Sequence, residues 1–102
     1  MRVIVFFDLP VDTAAQRREY RIFRKYLLKS GYLAMQESVY VKLAINGRVA
    51  DSLIAKLEEN RPADGLVQAL VVTENEFAQM ATVTGKPKND GTCTTTDELV
   101  IL

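Results

Sequence analysis

Seven side chains in this 102-residue sequence have types and spacing that could do chemistry: Asp8 and the six cations Arg17, Arg18, Arg21, Arg24, Lys25 and Lys29. The cations share a short stretch with a single acid, Glu19. On a helix advancing 100 degrees per residue, with Arg17 at zero, they spread from about −20 to 120 degrees, whereas Tyr20, Phe23 and Leu27 gather at about 240 to 300 degrees. A cationic stripe without acidic partners one turn away suits phosphate oxygens, although a solvated helix face has the same pattern. Asp8 raises a different question, because it is the first acid of the chain and ends the apolar run of VFFDLP. Such a carboxylate either ends the strand and starts a turn or serves as a metal ligand. One carboxylate holds Mg2+ poorly, since the ion takes near-octahedral oxygen ligands, usually one or two carboxylates with waters and substrate phosphate. A homodimer would bring two copies of Asp8 to one two-fold axis.

The totals exclude several alternatives. The chain has no histidine, which rules out Ser-His-Asp triads, Cys-His pairs and imidazole-bound zinc and leaves only a hard, oxygen-bound metal. The single cysteine, Cys93, cannot form an internal disulfide, in keeping with a reducing compartment. No apolar run reaches the length of a membrane span, and the stretch Val3 to Phe7 is too short for a secretory signal, so the expected location is the cytoplasm. The net charge of zero hides an asymmetry: residues 1–48 hold nine Arg and Lys against four acids, and residues 49–102 hold four against nine. That division points to an anionic partner for the first half, or to halves that attract each other.

These residues need elements to position them. Arg2 to Leu9 is apolar on both strand faces, as a central strand covered on both sides would be. Asp12 or Thr13 caps a helix with capping-box spacing to Gln16, and that helix runs to Ser30 with Gly31 as its stop. Tyr32 to Met35 and Ser38 to Leu43 read as strands joined at Gln36-Glu37, a hairpin without the usual glycine. Asn46-Gly47 opens a second helix with Val49, Ala50, Leu53, Ile54 and Leu57 on one stripe, ended by Asn60-Arg61-Pro62. Leu66 to Thr73 is the next strand. The order predicts an α+β domain, the ferredoxin-like βαββαβ antiparallel sheet with both helices on one face, over residues 1–80. Beyond it, Glu74 to Met80 reads as a helical turn and Ala81 to Thr84 as a short strand. Residues 85–96 read as a polar loop, and Leu99 to Leu102 as an apolar end that needs a sheet edge, its own or another chain's. Residues 81–102 are expected to form a C-terminal extension that completes a sheet, that of a dimer if the edge belongs to another chain.

Taken together, VIVFFDLP, RREYRIFRKYLLKSGY, MQESVYVKL, LVVTENEFAQM and the terminal ELVIL resemble the small CRISPR-associated adaptation proteins, partners of the CRISPR integrase, in a form similar to those of type II systems. The resemblance spans nearly the whole chain. It implies a ferredoxin-like homodimer flanked by integrase dimers that holds double-stranded DNA while new spacers are acquired. It also implies metal-dependent endonuclease activity on RNA or DNA in some members, with Mg2+ shared across the dimer and the acid after the first strand, Asp8 here, as catalytic residue and metal ligand. The stripe Arg17, Arg18, Arg21, Arg24, Lys25 and Lys29 would then contact phosphates. The family is often more basic than this neutral chain. Two alternatives remain: a Mg2+-dependent endoribonuclease acting on its own, or a ferredoxin-like RNA-binding module that stacks bases on Phe6 and Tyr40. The second lacks that module's glycine-aromatic signature in SVYVKL.

Overall fold

Strand β1 (Arg2–Asp8) lies in the middle of a four-stranded antiparallel sheet ordered β2-β3-β1-β4, with β2 at Leu33–Gln36, β3 at Val39–Leu43 and β4 at Leu66–Val72. The computed structural model of the chain describes residues 1–86. Helices α1 (Ala14–Lys29) and α2 (Gly47–Glu59) connect the strands, and a short α3 (Glu74–Ala78) follows β4. This is the expected α+β, ferredoxin-like βαββαβ order. No helix among the described residues is long and apolar enough to cross a membrane.

Strand alternation divides β1 between two layers. Val3, Val5 and Phe7 point into the main core, where Phe23 and Leu27 of α1 and Ala50 and Leu57 of α2 meet them. Each buried Val, Leu or Phe side chain here contributes about 1.5–3 kcal/mol relative to exposure. Phe7 anchors the strand end: its ring stands edge-on to Phe23 and Tyr20 at 5.3 and 5.9 Å and stacks on Tyr40 at 5.6 Å. The stripe read for α2 also faces this core, with Val49, Leu53 and Ile54 half-buried against it.

The helix ends follow the local chemistry of the sequence. Thr13, not Asp12, caps α1: its hydroxyl accepts from the Gln16 amide, and the Gln16 side chain accepts from the Thr13 and Asp12 amides. At the other end Gly31 adopts φ +93°, which a side chain disfavours, while Tyr32 N donates to Leu27 O and Gly31 N to Leu28 O. The ammonium of Lys42 donates to the Ser30 carbonyl, placing a cation at the negative end of the helix dipole.

Three readings are corrected. The hairpin turn lies at Glu37-Ser38, one residue later than expected, and a register irregularity between Ala34 and Gln36 does the work of the missing glycine, since no non-glycine residue takes positive φ. Ala81 to Thr84 is not a strand: it pairs with nothing among the described residues, and Val83 is 95% exposed. A strand needs a neighbouring edge, which local apolar content cannot supply. Most of the 85–96 loop and the whole Leu99 to Leu102 segment lie outside the described residues. Finally, the described residues cover the second face of β1 only in part. Phe77 of α3 packs on Ile4 and Val41, but Phe6, Leu33, Leu43, Leu66 and Leu70 remain exposed.

α3 is held to this face by charge as well as by Phe77. The Arg2 guanidinium binds the Glu74 carboxylate at 3.0 Å and lies over the Phe77 ring, 4.2 Å from its centre, while the N-terminal ammonium is 3.7 Å from Glu74. The Arg2 hydrogen bond holds the Glu74 carboxyl below its ordinary value of 4.5. A depressed folded value means that this contribution is present above pH 4.5 and is lost as the pH falls through the lower folded value. Thermal unfolding of wild type and Glu74→Gln across pH 3 to 7 checks this. Wild type should be the more stable at neutral pH, and the difference should close under acid; a pH-independent gap would exclude the ion pair as its source.

Candidate functional site

Phe7 is fixed inward by three rings, so alternation turns Asp8, the last residue of β1, to the opposite face, in line with Arg2, Ile4 and Phe6. Asp8 is exposed there beside a hollow of about 200 Å³ lined by Phe6, Phe7, Asp8, Ser38, Val39, Leu66 and Gln68. Pairing sets this neighbourhood: Asp8 is opposite Leu66 and Phe6 opposite Gln68 across the β1–β4 ladder, while Phe7 N donates to Ser38 O at 3.1 Å. Among the described residues, no hydrogen bond or ion pair engages the Asp8 carboxylate. It is therefore not a turn cap. The local turn is held by other groups, with Arg17 Nη1 donating to the carbonyls of Val11 and Asp12.

No cluster of three acidic, histidine or cysteine side chains occurs among the described residues, so one protomer offers a single carboxylate to a cation here. The oxygens carried by Asp8, Ser38 and Gln68 are of the hard type that Mg2+ takes, but they fall short of a set with two carboxylates. The residues fit a divalent cation only if a second copy contributes its own Asp8.

The six cations of α1 are all exposed, on the side of the helix turned away from Phe23 and Leu27. They do not meet Asp8, because α1 covers the Val3, Val5 and Phe7 face whereas Asp8 projects from the other. Arg17 differs from the rest in having its guanidinium engaged with its own loop. Arg18, Arg21, Arg24, Lys25 and Lys29 have no ion-pair partner among the described residues. Glu19, the one acid of the stretch, is not used against them either: its Oε1 accepts from the Ala63 amide at 3.2 Å.

The two aromatics of the RNA-module reading are separated by the sheet. Tyr40 is 1% exposed on the helix side, and Phe6, at 39%, is on the other side, so they cannot form one stacking platform. Sequence reasoning missed Ser38, Gln68 and Gly65 beside Asp8. Gln68 had a signal, as the lone polar side chain of LVQALVV, and Gly65 had another in Asp64-Gly65, a turn dipeptide.

Because no described residue holds the Asp8 carboxylate, Asp8→Asn should leave stability within about 0.5 kcal/mol of wild type. Urea unfolding tests this, and a loss well beyond that range would restore a structural role for the acid.

Comparison with known proteins adds to this geometry. Residues 1–80 match the family model for CRISPR associated protein Cas2. The chain is 48% identical over 102 residues, covering both chains completely, to a Treponema denticola protein named CRISPR-associated endoribonuclease Cas2. It is 46% identical over 86 residues to a Streptococcus mutans protein of that name, covering 84% of this chain and 79% of the relative. A Ligilactobacillus salivarius relative of the same name is 41% identical over 86 residues, covering 84% and 85%.

Proposed function

This chain belongs to the CRISPR-associated Cas2 family, and we propose that it serves as a cytoplasmic homodimer that binds double-stranded DNA and bridges CRISPR integrase dimers during spacer acquisition. The observation that carries this reading is the placement of two chemistries on opposite sides of one small sheet: five cations on α1 with no ion-pair partner among the described residues behind it, and an apolar face ending at Asp8 in front. An apolar face with Phe6, Leu33, Leu43, Leu66 and Leu70 exposed is costly in water and favours burial against a second copy. We take residues 1–80 as the ferredoxin-like core, a division that the match of the family model to residues 1–80 supports, and we propose that the segment after Thr84 is the extension that completes the dimer sheet.

Phosphate binding by Arg18, Arg21, Arg24, Lys25 and Lys29 is electrostatic and reads no bases, as a bridging subunit that must accept any protospacer requires. Arg17 contributes what its loop contacts leave free. Each phosphate contact releases counterions, so Arg18→Ala with Arg21→Ala should flatten the slope of log affinity against log salt by about 0.9 per lost contact, alike for all duplex sequences. An unchanged slope would assign the stripe to solvation.

The relatives' name, endoribonuclease, favours a second activity, cleavage of RNA, which we propose depends on Mg2+ and could extend to DNA. In it, the paired Asp8 carboxylates of two protomers hold the cation, and Ser38 and Gln68 line the space where a phosphodiester would approach. Mg2+ bound there would neutralise charge on the phosphate and lower the pKa of a bound water. Because α1 and Asp8 address different surfaces, binding and cleavage are separable. Asp8→Ala should abolish Mg2+-dependent cleavage while retaining duplex binding and the dimer. Leu70→Asp should sediment as a monomer and also lose cleavage, although its Asp8 is intact. Cleavage by a monomeric Leu70→Asp protein would overturn the shared site.

A further inference from the structure

The loop between α2 and β4 passes against the end of β1 at the one residue that can be there. Gly65 has φ +93°, and a Cβ built on it would come 2.8 Å from the Asp8 carbonyl oxygen, 2.7 Å from Leu9 Cδ2 and 3.1 Å from Leu9 Cα. Two of these three obstacles are backbone, which cannot rotate aside as a side chain can. The same loop is tied at its other end to α1, where Glu19 Oε1 accepts from the Ala63 amide. Glu19, Pro62, Ala63 and Asp64 also enclose a hollow of about 140 Å³ with Leu9 and Pro10, so that loop, helix and strand end share one boundary.

We infer that residues 62–65 form a clasp that fixes the end of β1, with Gly65 and Glu19 as positioning residues for Asp8. The physical need is plain. Asp8 is the last residue of its strand, its carboxylate is held by nothing among the described residues, and beyond it the chain turns through Leu9 and Pro10. Strand pairing alone leaves such an end free to fray. Close backbone approach at Gly65, the residue before the Leu66 that pairs with Asp8, restricts the Asp8 and Leu9 backbone from the β4 side just past the last ladder pair, and the Glu19 tie keeps the loop from lifting. The role in metal binding rests on the proposed reading of Asp8 as a ligand; the clasp itself does not.

The test pairs Gly65→Ala with Gly31→Ala. Gly31 has the same φ of +93°, but its Cβ would meet only the flexible end of Lys42, so the two variants share the backbone strain and differ in contact with Asp8. Two quantities are read on the full chain: the 13C shift of the Asp8 carbonyl without metal, and Mn2+ affinity by electron paramagnetic resonance, with Asp8→Ala as the blank. Gly65→Ala should move the Asp8 carbonyl resonance and weaken the Asp8-dependent Mn2+ affinity about tenfold, in the range typical of groups that orient a metal ligand, whereas Gly31→Ala should do neither. Glu19→Ala, which forces no atom into the strand, should move both readouts in the same direction to a smaller extent, and it replaces Gly65→Ala if that variant does not fold. An unmoved Asp8 carbonyl in the folded variants, or equal effects from Gly31→Ala, would overturn the clasp. Wild-type Mn2+ binding that survives Asp8→Ala would overturn the metal reading and leave the clasp to be judged by the carbonyl shift.

Discussion

A central strand that is apolar on both faces must be covered twice, and the described part of this chain has helix enough to cover it only once. β1 is hydrogen-bonded on both sides, and Val3, Val5 and Phe7 take up α1 and α2. Among the described residues, the other face receives only the five-residue α3, whose Phe77 reaches Ile4 and Val41 and no further along the strand. What remains is an exposed apolar strip running from Leu43 past Phe6 to Leu66, and Asp8 lies where it ends. The described residues thus leave this face partly open, and strand alternation places Asp8 at its edge.

The charges follow a similar economy. A helix with six cations and one acid would be expected to spend that acid on its neighbours, yet Glu19 holds a loop amide. The described acids of the negative second half do little to neutralise the positive first half either. Among the described residues its one ion pair with that half is made by Glu74, to Arg2 and the N-terminal ammonium, at the sheet end remote from Asp8. Among the described residues, mutual attraction of the halves therefore does not account for the cationic surface of α1. Exposed ion pairs are worth little, so leaving these cations unpaired costs the fold little and keeps them available to an anion.

Where sequence pattern and fold agree, the determinants are local. Thr13 with Gln16, Asn46 before Gly47 and Gly31 after Ser30 each satisfy helix-end groups within a few residues, so cap and stop could be read directly. The apolar stripes of α1 and α2 and the two-faced character of β1 are periodicities of the chain itself, and with the element order they determined the βαββαβ sheet. Where pattern misled, a partner distant in sequence decided. Ala81 to Thr84 has strand-like content but no edge to pair with, and the hairpin turn moved by one residue because of an irregularity opposite Tyr40 and Val39.

The candidate site divides along the same line. Sequence alone determined that Asp8 ends an apolar strand, that six cations line one helix face, and that no histidine chemistry is available. Tertiary structure decided that the acid and the cations face opposite ways, that Tyr40 is buried away from Phe6, that Arg17 and Glu19 are occupied by loops, and that Ser38, Gln68 and Gly65 surround the strand end. Periodicity specifies on which side of its own element a residue lies, because that depends on backbone geometry alone. Which neighbours meet it there depends on the register of β1 against β4 and on the path of the loop over Gly65, and these are set only when the whole sheet is assembled.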